Sequence, residues 1–221
     1  MSRRQGGGAL GGLPAAGRDA VLAAATERGW TRDELLVRDG DDAASLMIIT
    51  AGHAVARLAT AAGDQVTLSV LGPGDVIGEV GLLIRSGERT ADVVALEPVA
   101  ALVLRRPDFD RIRRTRPEVD DFVMELMARR IDRLSHRVAE AHHVPVPQRV
   151  ARRLHEVGRL YVADDRPVRI PLTQEDIAGL AGATRPTVNA VLRQLERDGV
   201  VRLGRARLEL VDIPELRRRC V

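Results

Sequence analysis

Lysine is missing altogether: all 34 basic residues are arginine. That absence reconciles a net charge of only +3 with an isoelectric point near 10.2, because guanidinium groups keep their protons where ammonium groups would release them. The high isoelectric point therefore says little by itself about a nucleic-acid partner. Cysteine is nearly absent too, and the single Cys220 beside the last residue excludes a disulfide framework and a thiolate cluster for zinc or an iron–sulfur centre. Long apolar runs are also lacking. The glycine-broken opening MSRRQGGGALGGLP does not supply the hydrophobic stretch of a secretion signal, so a cytoplasmic protein without a membrane partner is expected.

What is present is enough chain, 221 residues, for two compact domains with separate cores. Charge is distributed unevenly between them. Residues 145–221 carry 15 arginines against 10 acids, an excess of +5 that leaves residues 1–144 at −2. A phosphate-backbone partner is therefore expected for the C-terminal third.

Residues 1–20, rich in Gly, Ala and Arg, read as a flexible arm. From Trp30 to Leu104, short apolar runs such as SLMIITAGH, VTLSVLGPGD and ADVVAL alternate with Asp-Gly, Gly-Asp and Pro-Gly turn signals. That spacing predicts a small antiparallel barrel or roll over residues 21–116, closed enough to bury its edges and hold one ligand. Between two of the strands lies GPGDVIGEVGLLIRSGERTA, Gly72 to Ala91, with a bend expected at Ile84–Gly87. It combines a glycine-rich turn, the acid Glu79 and, ten residues later, Arg89-Thr90. A carboxylate accepts from sugar hydroxyls, a guanidinium forks onto phosphate oxygens and a threonine adds a donor. Glycine lets backbone N–H groups approach an anion. Glu79 and Arg89 would then serve opposite ends of one ligand; the plainer alternative is that they pair with each other across a hairpin. Neither GxxxxGK nor GxGxxG occurs.

The order Gly-Glu, ten-residue step, Arg-Thr-Ala resembles the phosphate-binding cassette of the cyclic-AMP receptor protein/fumarate-nitrate regulator superfamily of bacterial transcription factors, and the similarity extends from about residue 30 to the C-terminus. The resemblance implies that Gly78, Glu79 and Val80 wrap the ribose side, with Glu79 on the 2′-hydroxyl, while Arg89 and Thr90 hold a cyclic phosphate.

Residues 117–143 predict one long helix with Pro117 in its first turn. Met124, Met127, Ile131, Leu134, Val138 and Ala141 follow steps of 3 and 4, a heptad seam; Phe122, Val123 and Leu126 form a second apolar stripe suited to pack on the roll. A helix with two apolar faces needs two partners, so the seam is expected to meet the same helix of a second subunit. In the resemblance this helix also walls the ligand, with Leu134 and Ser135 where cyclic-AMP receptors carry a Thr-Ser pair. Ser135 retains a hydrogen bond for a base edge and Leu134 does not. Cyclic AMP is the first expectation for the effector, with cyclic GMP or a cyclic dinucleotide as alternatives and no metal. Haem or iron–sulfur sensing would lack its cysteine ligands.

The prolines of His142-His143-Val-Pro-Val-Pro mark a hinge. The paired histidines have no third ligand at a sensible spacing and read as helix-end surface residues; His53 and His136 are likewise isolated. Gln148 to Leu160 has helical periodicity. Thr173 is a cap candidate with Asp176 three residues on, opening a short helix through Ala181; Gly182 turns the chain; Thr184 caps a second helix with Pro186 in its first turn. VVRLGRARLEL follows as a hairpin with Gly204 at its tip. This predicts a winged helix-turn-helix over residues 144–221. Such a second helix enters the DNA major groove by its N-terminal residues. Arg185 is the candidate base reader, since arginine reaches guanine O6 and N7 together. Thr184 and Thr187 suit phosphates, Asn189 and Arg193 base or backbone, and Arg205 a phosphate at the wing; Thr173, at the start of the preceding helix, belongs to the same DNA-binding set. Where the family carries an acidic base reader and a later arginine, this sequence has Pro186 and Ala190, so its preferred half-site should differ.

The expectation is an α+β chain with a cyclic-nucleotide-binding roll, a dimerisation helix and a winged helix-turn-helix. Its function would be that of a homodimeric, ligand-responsive transcription regulator. No nucleophile–base pair or metal set points to an enzyme. The alternatives are a ligand-independent regulator with a vestigial pocket and a nucleotide-binding module that controls a partner enzyme. By analogy alone, an exposed loop at Ala163–Arg166 would touch RNA polymerase.

Overall fold

The computed structural model describes residues 9–60, 65–84, 86–162, 166–205 and 207–221. It divides into two units, the described residues of Met1–Ala56 with Val70–Arg133, and those of Arg57–Ser69 with Leu134–Val221.

The first unit opens with a 3-10 turn, Ala9–Gly12, and helix α1 (Ala15–Ala24). This corrects the expected flexible arm. Residues 1–8 of it lie outside the described residues, but Leu13 and Val21 are buried in one cluster with Phe109, Ile112, Val119 and Val123. Burying those two side chains is worth about 1.5–3 kcal/mol each, enough to order a short alanine-rich helix that could not stand alone.

The strands follow in the order the turn signals suggested: β1 (Thr26–Trp30), β2 (Leu35–Val37), β3 (Ser45–Ala51), β4 (Ala54–Ala59), β5 (Gln65–Leu71), β6 (Val76–Ile77), then helix α2 (Glu79–Leu83), β7 (Asp92–Ala95) and β8 (Val99–Arg105), with Arg57–Ala59 of β4 and Gln65–Ser69 of β5 counted in the second unit. They form two four-stranded sheets, β1-β8-β3-β6 and β2-β7-β4-β5. The register of β3 sets Met47 against both Ile77 and Val103, which makes β3 the strand beside which the glycine-rich stretch emerges. Of the expected bend at Ile84–Gly87, Ile84 is a bend and residue 85 lies outside the described residues.

Helix α3 (Arg106–Thr115) follows β8 directly, with Pro107 in its first turn and Phe109 and Ile112 in the core. Helix α4 (Pro117–His143) has Glu118 and Asp120 in its first turn and His142 and His143 in its last, the arrangement that complements the helix dipole. Val123 is buried and Phe122 and Leu126 pack against the core, so the second apolar stripe does face the roll.

In the second unit, α5 (Val146–Tyr161) buries Val150, Leu154 and Val157. Strand β9 (Val168–Ile170) precedes α6 (Gln174–Ala181), α7 (Arg185–Arg197), β10 (Val201–Gly204), β11 (Arg207–Leu210) and α8 (Ile213–Arg218). The three strands order as β10-β11-β9. Gly182, in the left-handed conformation at φ 59°, turns the chain between α6 and α7, whose Val188, Leu192 and Leu195 are buried. Among the described residues no helix is long and apolar enough to cross a membrane.

Candidate effector and nucleic-acid sites

The first site forms where α2 leaves β6. Gly78 holds φ 90°, and a Cβ placed on it would stand 1.8 Å from Arg89 Nη1. The glycine thus serves both a left-handed turn and the close approach of a guanidinium. Arg89 is 6% exposed; its Nη2 donates to Ser45 Oγ at 3.2 Å, while its buried Nη1 has no hydrogen-bond partner. Burial pulls the Arg89 pKa below its ordinary value, and the nearby Glu79 and Asp42 carboxylates act against that shift. A buried cation with an unused donor is costly unless something anionic meets it.

Glu79, the first residue of α2, is buried as well. It pairs through Oε1 with Arg130 Nη1 from α4, so the two charges of the cassette answer to different partners, Glu79 to Arg130 and Arg89 to Ser45. Arg130 was missed in the sequence. Arg106 braces the same turn, its Nε donating to the Ala43 carbonyl and its Nη2 to the Gly81 carbonyl, each at 3.1 Å. Val80 is half-buried and Thr90 exposed. Leu134 and Ser135, both exposed, belong to the second unit.

On α4, Met124, Ile131, Leu134 and Val138 are between 50% and 65% exposed, and Met127 is half-buried. The seam therefore stands as an uncovered apolar stripe. Glu140 near its end pairs with Arg152, at 3.0 Å, and with the buried Arg153, both from α5 beyond the break at Val144 and Pro145. His53 Nδ1 meets Glu97 Oε1 at 2.5 Å, and no group of three metal-ligating side chains occurs among the described residues.

The second site is the outer face of α6 and α7. Thr173 and Asp176 form a full capping box: the Asp176 N–H donates to Thr173 Oγ1 at 3.1 Å, and the Thr173 N–H and hydroxyl donate to Asp176 Oδ2 at 2.9 and 2.7 Å. Asp176 has a second task that sequence spacing did not reveal. Its Oδ1 accepts from Arg57 Nε and Nη2 at 3.1 and 2.8 Å and from the Thr67 hydroxyl at 2.8 Å. Arg57 and Thr67, in the same unit as α6, thus pack on that helix, so closely that a Cβ on Gly179 would lie 2.5 Å from Thr67 N. Arg137 donates to the carbonyl of the neighbouring Leu68 at 2.6 Å. Burial alone would raise the Asp176 pKa; the hydrogen bonds from Thr173, the charge of Arg57 and the Thr67 hydroxyl outweigh it and hold the carboxyl below its ordinary value.

Thr184, Arg185 and Thr187 are exposed together at the N-terminus of α7, where the Thr184 and Thr187 hydroxyls lie 2.9 Å apart. Arg185 approaches Glu175 at 3.8 Å. Asn189 is half-buried with an unpartnered Oδ1, and Arg193 and Arg205 are exposed. A groove of about 500 Å³ separates the helix ends from the wing, with Thr173, Gln174 and Arg185 on one side and Gly204 and Arg207 on the other. Arg207, absent from the expected set, joins it here. Of the loop Ala163–Arg166, residues 163–165 lie outside the described residues.

Comparison with known proteins matches residues 27–116 to the family model "Cyclic nucleotide-binding domain" and residues 148–219 to "Crp-like helix-turn-helix domain". The chain is 31% identical over 192 residues to the cyclic AMP receptor protein of Thermus thermophilus, covering 87% of both chains. It is 28% identical over 193 residues to a CRP-like cAMP-activated global transcriptional regulator of Mycobacterium tuberculosis, covering 86% of each. Among solved structures, the catabolite activator protein of Thermus thermophilus aligns with TM-score 0.55 at 29% identity, covering 96% of this chain and 97% of that one. The c-di-GMP-responsive global regulator of Xanthomonas campestris aligns with TM-score 0.73 at 18% identity, over 90% and 99%, a likeness of fold.

Proposed function

This chain belongs to the cyclic-AMP receptor protein/fumarate-nitrate regulator superfamily of transcription regulators, and from that premise we propose that it is a homodimer whose operator binding is controlled by a cyclic nucleotide, cyclic AMP first among the candidates. The observation that carries the effector half is Arg89, a buried guanidinium with one donor unused beside a glycine that cannot bear a side chain. The residues fit a cyclic phosphate: Arg89 and Thr90 would hold it, while Gly78, Glu79 and Val80 face the ribose hydroxyls. Glu79 would receive a hydroxyl while already oriented by Arg130. Ser135 would meet the base edge, and Leu134 leaves one base contact unmade, worth about 0.5–1.5 kcal/mol. The relatives named for cyclic AMP favour that nucleotide, and calorimetric titration with cyclic AMP, cyclic GMP and cyclic di-GMP decides among them. No binding to any of the three removes the effector reading.

Two copies would meet along Met124, Met127, Ile131, Leu134 and Val138, burying the stripe that one chain leaves open. Ile131→Glu is expected to shift the protein from dimer to monomer in sedimentation velocity, since it places a like-charged pair at the centre of that seam.

Two recognition helices about 34 Å apart would then read a pseudopalindrome. Arg185 reads a base, Thr184 and Thr187 hold phosphates, Asn189 and Arg193 contact base or backbone, and Arg205 holds a phosphate. Thr173, whose donors both go to Asp176, places the N-terminus of α6 against the backbone. RNA polymerase is the partner expected by analogy. Arg185→Ala is expected to cost about 1–3 kcal/mol on the selected operator and to relax one base position, read by mobility shift on single-base variants. A mobility shift unchanged by nucleotide would favour the ligand-independent regulator instead.

A further inference from the structure

Glu196 sits in the last turn of α7, three residues beyond Arg193. Its Oε1 accepts the backbone N–H of Leu203 at 2.9 Å, and its Oε2 lies 3.3 Å from Arg193 Nη1. Leu203 is the next-to-last residue of β10, the outer strand of the wing sheet. An N–H directed off the outer edge of a sheet has no ladder partner. Glu196 supplies one from the recognition helix itself.

The base of the wing is fixed separately. The Val200 N–H donates to the Leu195 carbonyl at 2.9 Å, and the Val200 carbonyl accepts from the Val211 N–H at 2.9 Å. Those bonds act as a pivot, and the Glu196 carboxylate acts three residues further out, near Gly204. Beyond it opens the groove that has Arg185 on its helix side and Arg207 on its wing side. Any tilt of the wing about its base changes the width of that groove.

We infer that Glu196 is a positioning residue for DNA binding: it struts the wing against the recognition helix and so sets the distance between the base-reading Arg185 on the helix and Arg207 on the wing. The inference rests on the DNA-binding reading of the winged helix-turn-helix. A carboxylate suits the task because a charge-assisted bond to a backbone N–H is short and strong. The same carboxylate keeps Arg193 directed along the helix.

The test separates the strut from the charge. In Glu196→Gln an amide oxygen of the same reach still accepts the Leu203 N–H, while the attraction for Arg193 is lost. In Glu196→Ala both are lost. Full-length protein is titrated onto the selected operator and onto a scrambled duplex of equal length, with thermal unfolding recorded alongside. Glu196→Ala is expected to bind the operator about tenfold more weakly, the loss of one hydrogen bond to a charged group. Its binding to the scrambled duplex stays close to wild type because every cation is still present. Glu196→Gln is expected within about threefold of wild type on both, a rescue that loss of charge alone would not give. Operator binding by Glu196→Ala equal to wild type overturns the inference. So does a Glu196→Gln variant as weak as Glu196→Ala, or an equal loss on both duplexes. Should Glu196→Ala fail to fold, the Glu196→Gln arm decides alone: retention within threefold supports the strut and a tenfold loss overturns it. The wild-type titration in the same series tests the DNA reading by itself, since failure there to prefer the operator counts against that reading and not against the strut.

Discussion

Arg89→Ala is expected to weaken cyclic-nucleotide binding by at least about a hundredfold and to leave operator binding unresponsive to nucleotide. Two charge-assisted hydrogen bonds from the guanidinium to phosphate oxygens would be lost, each worth about 1.5–3 kcal/mol in a site shielded from water. The free protein should hardly suffer. Arg89 is held by one hydroxyl, on Ser45, and carries an unpaired buried donor, so its removal relieves a desolvation cost along with the bond it breaks. Titration calorimetry and thermal unfolding on the same preparation give both numbers. A variant that binds and responds like wild type would mean that the phosphate sits elsewhere; one that fails to fold would mean that Arg89 is part of the frame.

Asp176→Ala is expected to lower unfolding stability by about 2–4 kcal/mol. The substitution removes half of the capping box on α6 and strands the donors of Arg57 and Thr67 that now converge on a carboxylate only 2% exposed. The value stays below that of a fully buried ion pair because the Arg57 side chain is 23% exposed and can recover some hydration. The pH dependence has a definite sign. The folded pKa of Asp176 lies below its ordinary value of 3.8, so its contribution is complete above that value and disappears as the pH falls through the folded pKa. The stability gap between wild type and Asp176→Asn should therefore be constant near neutrality and close in acid below the ordinary aspartate range, as measured by urea unfolding at several pH values. A gap that widens as the pH falls would contradict the assignment.

The parts of this fold readable in the sequence are those whose signals are local. Thr173 and Asp176 announce a helix start by their spacing, Gly182 marks a turn, and the stripe of Phe122, Val123 and Leu126 identifies the face of α4 that meets the roll; Gly204, expected at the hairpin tip, is instead the last paired residue of β10. Helices α1 and α3 escaped because each offers only two buried anchors, too few for a period to show; Phe109 and Ile112 are the buried residues of α3. The cassette was legible because glycine, acid and arginine fall within one short stretch. Arg130 was not, although it lies one turn beyond Leu126 on the roll-facing stripe, where a cation prolonging an apolar stripe could have pointed to a buried acid. The partners of Asp176 stand 119 and 109 residues away at Arg57 and Thr67, a separation that no local pattern spans.

The contact at Gly179 has a mechanical consequence. Where side chains lie between two elements, small displacements are absorbed by rotamer changes and the second element need not follow. Here the Thr67 backbone lies against the α6 backbone with no side chain between them. A displacement of Thr67 toward the helix therefore meets backbone instead of a side chain that could change rotamer, and the contact is stiff at that point.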